Sequence, residues 1–210
     1  MIKQNPTEFY AHRKKLFNSS KQQKYYTNNP ISNYLVSNYY HKIDQMVKGI
    51  NFNSLVDVGC GEGFLVKHFS ENVIKKKCCA IDYNFNEIKD TRKNSLFCDV
   101  MQASIYEMPF AEKSFDLVIC TEVLEHLENP VAALEEIFRI CNKYVLLSVP
   151  REPIWRLSNL TRFSYIYNFG NTPGHLNHWS SKEFKKFVGK RFNLMKVSKP
   201  LPWTIVLAQL

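Results

Sequence analysis

Leu55-Val56-Asp57-Val58-Gly59-Cys60-Gly61-Glu62-Gly63 is a short apolar run, with an aspartate inside it, that passes into glycine at every second position. Glycine has no Cβ, so its backbone can turn with φ > 0 and can approach a ligand closely. Phe64-Leu65-Val66-Lys67-His68-Phe69 follows with helical spacing. A strand, a glycine bend and a helix predict a nucleotide-type cradle. The spacing is G-x-G-x-G, so it differs from the dinucleotide G-x-G-x-x-G, and no Lys-Ser/Thr pair makes it a phosphate-binding P-loop. About twenty residues further on, Cys79-Ala80-Ile81-Asp82 is a second apolar run ending in an acid, placed as an acceptor for ribose hydroxyls.

The elements around this run alternate. Strands are expected at Ser54–Val58, Lys77–Asp82, Leu96–Gln102, Phe115–Thr121 and Tyr144–Val149, and helices at Phe64–Glu71, Asn86–Asn94 and Pro130–Cys141. Asn129 is placed to cap the last of these, with Pro130 at its first position. Upstream, Ile31, Leu35, Tyr39, Ile43, Met46 and Val47 recur at helical steps from Pro30 to a stop near Gly49. Such alternation implies an α/β fold with a parallel sheet covered on both faces. Residues 150–180 break the rhythm with prolines, aromatics and Gly170-Asn171-Thr172-Pro173-Gly174, and read as a substrate-side insertion. Ser180 and Glu183 form a capping box for a further helix. Arg191–Lys199 and Trp203–Ala208 read as a closing pair of strands. Residues 1–30 are polar, without a clean apolar period, and read as an N-terminal segment or lid in which Tyr25 and Tyr26 could close over a ligand.

Composition narrows the class. A chain of 210 residues with 45% hydrophobic content suits one domain with a filled core. No apolar run approaches the ~20 residues of a membrane span, and the polar start, Met1 to Pro6, has no signal-peptide apolar stretch. The six cysteines form no C-x-x-C. They read as reduced core thiols of a cytoplasmic protein, neither disulfides nor a zinc knuckle. The net charge of +9 admits an anionic partner such as RNA. The basic residues are scattered, however, which favours ordinary lysine-rich surface usage.

Two further stretches complete a constellation. Ala103-Ser104-Ile105-Tyr106-Glu107-Met108-Pro109-Phe110 follows the third strand, and Ser114-Phe115-Asp116-Leu117-Val118-Ile119-Cys120-Thr121-Glu122-Val123-Leu124-Glu125-His126-Leu127 contains the fourth. Together with Asp57, Gly59, Cys60, Gly61, Gly63 and Asp82, they resemble the class I S-adenosylmethionine-dependent methyltransferases over residues 31–210. The resemblance implies a Rossmann-like, doubly wound seven-stranded sheet of order 3-2-1-4-5-7-6 with strand 7 antiparallel. It also implies S-adenosylmethionine as cofactor. The glycine backbone would lie by the methionine moiety, Asp57 would order the loop near the amino group, and Asp82 would hold the ribose. Thr121, at the end of the fourth strand, would be among the cofactor contacts, and the position after that strand would face the transferring methyl. Ser104 stands where the family has an acid for the adenine amino group. A hydroxyl accepts that bond more weakly, and the Ile105 backbone could contribute. The strand ends that carry these groups share one edge of the sheet, where α/β folds bind ligands.

The ending E-V-L-E-H, followed far downstream by His175-Leu176-Asn177-His178-Trp179, resembles two metal-using groups. These are the small-RNA 3′-terminal 2′-O-methyltransferases and the quinone-pathway O-methyltransferases. On that resemblance Glu122, Glu125, His126 and His175 match ligands of a divalent ion that would lower an acceptor hydroxyl's pKa. The alternative is that these groups support the loop or bind substrate, with His126 or His175, beside Glu122, serving as general base. One histidine cannot do both. His178 reads as structural or substrate-facing. Trp155, Phe163, Tyr165, Tyr167, Phe169 and Trp179 form either a stacking wall for a planar acceptor or ordinary loop packing.

The reading is therefore a methyltransferase acting on a small-molecule acceptor, at oxygen. The rivals are a metal-assisted RNA 2′-O-methyltransferase and a non-catalytic cofactor-binding scaffold that keeps the fold.

Overall fold

Apolar runs at Ser54–Val58 (β1), Lys77–Asp82 (β2), Asp99–Gln102 (β3), Phe115–Thr121 (β4) and Cys141–Pro150 (β5) pair in parallel. Asn193–Ser198 (β6) and Trp203–Gln209 (β7) complete the sheet, in the order β3-β2-β1-β4-β5-β7-β6. β7 runs antiparallel to both its neighbours. The computed structural model describes residues 29–73, 77–94, 98–161 and 168–210. The expected N-terminal lid with Tyr25 and Tyr26, and Phe163, Tyr165 and Tyr167 of the insertion, lie outside the described residues.

Alternate residues of the central strands point to opposite faces, and each face has its own helices. Leu55, Leu117, Ile119, Leu146, Ile205 and Leu207 pack with Tyr39, Tyr40, Ile43 and Met46 of Pro30–Val47 (α1) and with Phe64, Leu65 and Phe69 of Phe64–Val73 (α2). Val56, Val58, Val118, Cys120, Val145 and Leu147 pack with Leu134, Ile137 and Ile140 of Pro130–Ile140 (α4). Phe184, Phe187 and Val188 of Ser181–Val188 (α6) complete that second face. Phe85–Asn94 (α3) sits near the β3 edge, with Ile88 packed on Cys60, Val66 and Ala80.

The helix starts follow the cap chemistry. Asn129 Oδ1 accepts from Ala132 N at 3.1 Å ahead of Pro130. Ser180 and Glu183 form the reciprocal capping box. Asn29, before Pro30, caps α1 in the same way. Gly49, at φ +92°, follows the α1 C-cap.

Three features differ from expectation. The insertion contains a helix, Ile154–Thr161 (α5). Its apolar period is weak, since Leu157 and Leu160 are exposed, and it is held instead by Asn159 Nδ2, which donates to Gly170 O at 2.8 Å and Thr172 Oγ1 at 3.2 Å. β3 begins at Asp99, after a bend at Cys98, and the expected start at Leu96 lies outside the described residues. Finally, Cys78 and Cys98 are joined by a disulfide, which corrects the reading of six reduced thiols. The parallel register that sets Cys79 opposite Asp99 also brings these two residues to a Cα–Cα distance of 4.7 Å, within bridging range. Cys60, Cys79, Cys120 and Cys141 are free and buried.

The stretch after β3 is fixed from the opposite face. Glu136 Oε1 accepts from Met108 N at 2.7 Å. Arg139 donates to Glu136, to Phe110 O at 2.7 Å and to Met108 O at 3.0 Å. Residues 103–110 are thereby held at the rim of the sheet. No helix among the described residues is long and apolar enough to cross a membrane.

Ile137, fully buried between α4 and the sheet, should report on this packing. Ile137→Ala is expected to lower unfolding free energy by about 2–5 kcal/mol, seen as a lower urea midpoint at unchanged m-value.

Candidate active site

A cavity of about 500 Å3 opens beyond the C-terminal ends of β1, β2 and β4. One end of it is built by the glycine bend. Gly59 N and Cys60 N both donate to Ile81 O, at 2.8 and 2.9 Å, which draws the bend against β2. Gly61 N donates to Asp82 Oδ2 at 2.9 Å, and Asn84 N donates to Asp82 Oδ1 at 2.8 Å. Gly61 has φ +52°, and a Cβ there would meet no atom within 4 Å, so its backbone faces open space in the cavity. Gly63 is different. A Cβ there would come within 2.8 Å of Thr91 Cγ2, and Gly63 does not line the cavity. Its glycine serves close approach between α2 and α3 rather than ligand contact.

Asp57, Gly59, Cys60, Gly61, Asp82, Ile105 and Thr121 all line the cavity. Ser104 does not. Its Oγ accepts from Tyr106 N at 3.2 Å and closes a local turn, while Ala103 and Ile105 on either side line the wall. The expected position of Ser104 at the site is therefore corrected: its hydroxyl is engaged by its own backbone, and its two neighbours face the cavity in its place. Asp57 is 2% exposed, and burial followed by the charge of Asp82 pushes its carboxyl up to about 7.

The other end of the cavity forms where β4 stops. Glu122 takes a left-handed backbone, φ +58°, uncommon for a residue with a side chain. This conformation lets its carboxylate accept from Ser148 Oγ at 2.9 Å and from Trp203 Nε1 at 2.7 Å. A short 3-10 turn, Leu124–His126, follows. The insertion is fastened to that turn: Leu176 N and Asn177 N donate to Glu125 O at 2.8 and 3.0 Å. Asn177 Nδ2 donates to Leu124 O at 3.2 Å and Leu127 O at 2.6 Å. His126 Nδ1 lies 2.9 Å from Gly174 O. A carbonyl only accepts, so in the neutral ring Nδ1 carries the hydrogen and Nε2 keeps the lone pair.

These ties bring His175 onto the turn. Its ring meets that of His126 edge-on at 4.9 Å and stacks on Trp155 at 5.7 Å. Glu125, His126 and His175 each offer a donor atom, and the three atoms lie within 4.8 Å of one another. Glu125 is 1% exposed, and its Oε2 has no hydrogen-bond partner. The expected four-residue set is thus corrected to three, because Glu122 is turned towards Ser148 and Trp203. One carboxylate and two imidazoles suit a transition-metal ion.

Electrostatics separate the candidate acids and bases. Burial pushes Glu122 up to about 7, against its two hydrogen bonds. Burial and then the charge of Glu122 raise Glu125 well above the usual carboxylate range. Burial, then His126 and His178, push His175 down to about 4, so its ring is neutral near pH 7.

Some lining residues carried no sequence signal of a site. Tyr39 and Tyr40 line the cavity from α1, and Trp203 does so from β7. Each also fits its element's apolar period, which gave no reason to set it apart from the core. Of the insertion aromatics, Trp155 lines the cavity, Trp179 packs against Phe184 and Phe187, and Phe169 is 81% exposed. His178 sits outside the lining, its Nδ1 3.4 Å from Glu152.

Residues 56–148 match a family described as a methyltransferase domain. An uncharacterized methyltransferase of Schizosaccharomyces pombe is 32% identical over 98 residues, covering 41% of this chain and 35% of that protein. Ubiquinone biosynthesis O-methyltransferase of Histophilus somni is 25% identical over 183 residues, covering 73% of this chain and 74% of that protein. The structure of magnesium protoporphyrin IX methyltransferase from Synechocystis with bound SAH superposes with a TM-score of 0.66 at 14% identity, covering 97% of this chain and 95% of that one. The chain spans 35% and 34% of the first curated relatives it matches. The methyltransferase-domain match covers less than half of the chain, and the fold of the whole is that of solved S-adenosylmethionine-dependent methyltransferases.

The raised Asp57 carboxyl has a stability consequence. A group whose folded pKa lies above its unfolded value stabilises the fold fully below the unfolded pKa and loses that contribution as pH rises through the folded one. With values of 3.8 and about 7, the window is pH 4 to 7. Asp57→Asn should therefore be more stable than wild type at pH 8, by about 2 kcal/mol or more. The gain should vanish below pH 4, as read by urea denaturation of ligand-free protein.

Proposed function

We propose that this chain is an S-adenosylmethionine-dependent methyltransferase that methylates a small-molecule acceptor at oxygen. The observation that carries the reading is Asp82. Its carboxylate anchors Gly61 N and Asn84 N at the edge of a cavity into which Gly61 presents bare backbone. Two hydrogen bonds leave a carboxylate with further lone pairs for ribose hydroxyls. Asp57, Gly59, Cys60 and Gly61 would hold the methionine end, with Ala103 and Ile105 beside the adenine. The similarity to an O-methyltransferase over 73% of the chain supports oxygen as the acceptor atom.

Bound S-adenosylmethionine supplies an electrophilic methyl group on a sulfonium sulfur. The protein's task is to position the acceptor and remove its proton. His126 is the base in this reading. Its Nδ1 is fixed on Gly174 O, which leaves the Nε2 lone pair towards Glu125 and His175. His175, held down near 4, is too weak a base for neutral pH and instead braces the His126 ring.

A second reading is favoured by the unpartnered Glu125 Oε2. Glu125, His126 and His175 would hold a divalent ion that lowers the acceptor's pKa, and His126 would then be a ligand.

Calorimetry should show binding of S-adenosylhomocysteine (SAH), and Asp82→Asn should weaken it about ten- to a hundredfold, the worth of hydrogen bonds to a charged group. A folded wild type that ignores both this product and S-adenosylmethionine rejects the proposal. Exhaustive chelation separates the two readings. Turnover of labelled methyl groups that survives it leaves His126 as base, whereas loss restored by one divalent ion, with that ion's binding abolished in Glu125→Ala, selects the metal.

A further inference from the structure

The insertion has an inner and an outer face of different character. On α5, Trp155 and Asn159 stand four residues apart and point inward. Trp155 lines the cavity, and Asn159 Nδ2 donates to Gly170 O and Thr172 Oγ1. Leu157 and Leu160, three residues apart, fall on the opposite side of the helix and are 56% and 36% exposed. The chain then returns along α5. A Cβ on Gly170 would come within 3.0 Å of Leu160 Cγ, so Phe169, the residue before it, emerges beside Leu160. At 81%, Phe169 is the most exposed large apolar residue among those described. Its backbone is left-handed, φ +50°, and Gly170 continues at φ +75°. A bulky side chain rarely adopts that conformation, which costs free energy. Packing within this chain offers little in return for a ring so far out in solvent.

The charge around these side chains has one sign. Between Glu152 and Glu183 the sequence holds no Asp or Glu. The Glu152 carboxylate is turned inward, with its side chain 12% exposed, and it lies 3.9 Å from Arg156 Nε and 3.4 Å from His178 Nδ1. The Arg156 side chain, on the flank of α5 between the two faces, remains 41% exposed. The whole chain carries a net charge of +9. Leucine and phenylalanine on one face, arginine at the flank and no outward carboxylate suit an anionic bilayer. The apolar groups enter the acyl boundary while basic groups stay among the head groups.

We propose that the outer face of the insertion, formed by Leu157, Leu160 and Phe169, docks on an anionic lipid bilayer. None of the three lines the cavity, so docking is a property separate from methyl transfer and needs no acceptor to be observed. Because Trp155 occupies the inner side of the same helix, docking sets the cavity wall about one helix diameter, ~10 Å, from the lipid.

The test is co-sedimentation of the full chain with vesicles of phosphatidylcholine alone and of phosphatidylcholine mixed with phosphatidylglycerol. Wild type is expected to partition onto the mixed vesicles about tenfold more strongly than onto the neutral ones, with the difference shrinking as salt is added. Leu157→Ser and Phe169→Ser should each weaken partition by about tenfold, and the double variant by about a hundredfold, as expected for withdrawing large side chains from an apolar phase. Their melting temperatures should stay near that of wild type, since both positions are exposed. Met195→Ser, on the exposed β6 edge, should leave partition unchanged. Wild type that ignores the mixed vesicles, or that partitions equally onto both kinds, overturns the proposal. So does partition that survives the double variant or that Met195→Ser weakens to the same degree, either of which marks adsorption not directed by this face. A wild-type dimer that Phe169→Ser dissociates, with no vesicle binding, overturns it in favour of a second copy of this chain.

Discussion

The Asp82 carboxylate joins the end of β2 to the glycine bend that leaves β1, by accepting from Gly61 N and Asn84 N. Two parallel neighbours end at the same level, so one side chain can reach across to the next strand's exit. Two backbone amides that leave the strand ends thereby acquire a carboxylate partner. The bend in turn sets where Asp57 lies, and the like charge of Asp82 is one reason Asp57 resists ionisation. The geometry of the glycine-bend end of the cavity therefore follows from one carboxylate at a strand terminus, supported by the Ile81 carbonyl that takes both Gly59 N and Cys60 N.

The end of the cavity beyond β4 obeys a different constraint. Three acidic or basic side chains converge there without salt bridges strong enough to neutralise them. Glu125 and His126 are 4.0 Å apart, and His175 is kept neutral by burial and its neighbours. Such a cluster survives because the backbone around it is tied down independently, by Leu176 N, Asn177 N and the Asn177 amide. The cost of holding Glu122 in a left-handed conformation, of order 1–3 kcal/mol, is offset by two hydrogen bonds to its carboxylate.

Much of the fold was legible because local chemistry and tertiary role agree. β1, β2 and β4 are continuous apolar runs buried on both faces, and Asn129-Pro130 and Ser180…Glu183 mark helix starts by hydrogen bonds that are local in sequence. The residues of the glycine bend were legible for the same reason, since a glycine spacing is a backbone requirement written directly in residue type. Legibility failed where long-range contacts decide. Tyr39 obeys the period of a core helix, and only its meeting with Ser148, 109 residues away, sets it apart. Ser104 is engaged by Tyr106 N two residues on, a choice its position in a motif does not show. Cys78 and Cys98 meet because β2 and β3 pair in register, and cysteine spacing carries no trace of that pairing.

The insertion grips the 3-10 turn through the main-chain oxygen of Glu125, using the N–H groups of Leu176 and Asn177. Main-chain groups are the same for nearly every amino acid. Side chains such as Leu176, which is 58% exposed, can therefore be exchanged with little effect on where the loop sits. A scaffold fastened in this manner can change the residues displayed on a loop whose path stays constant, while the glycine-bend half of the cavity is left untouched.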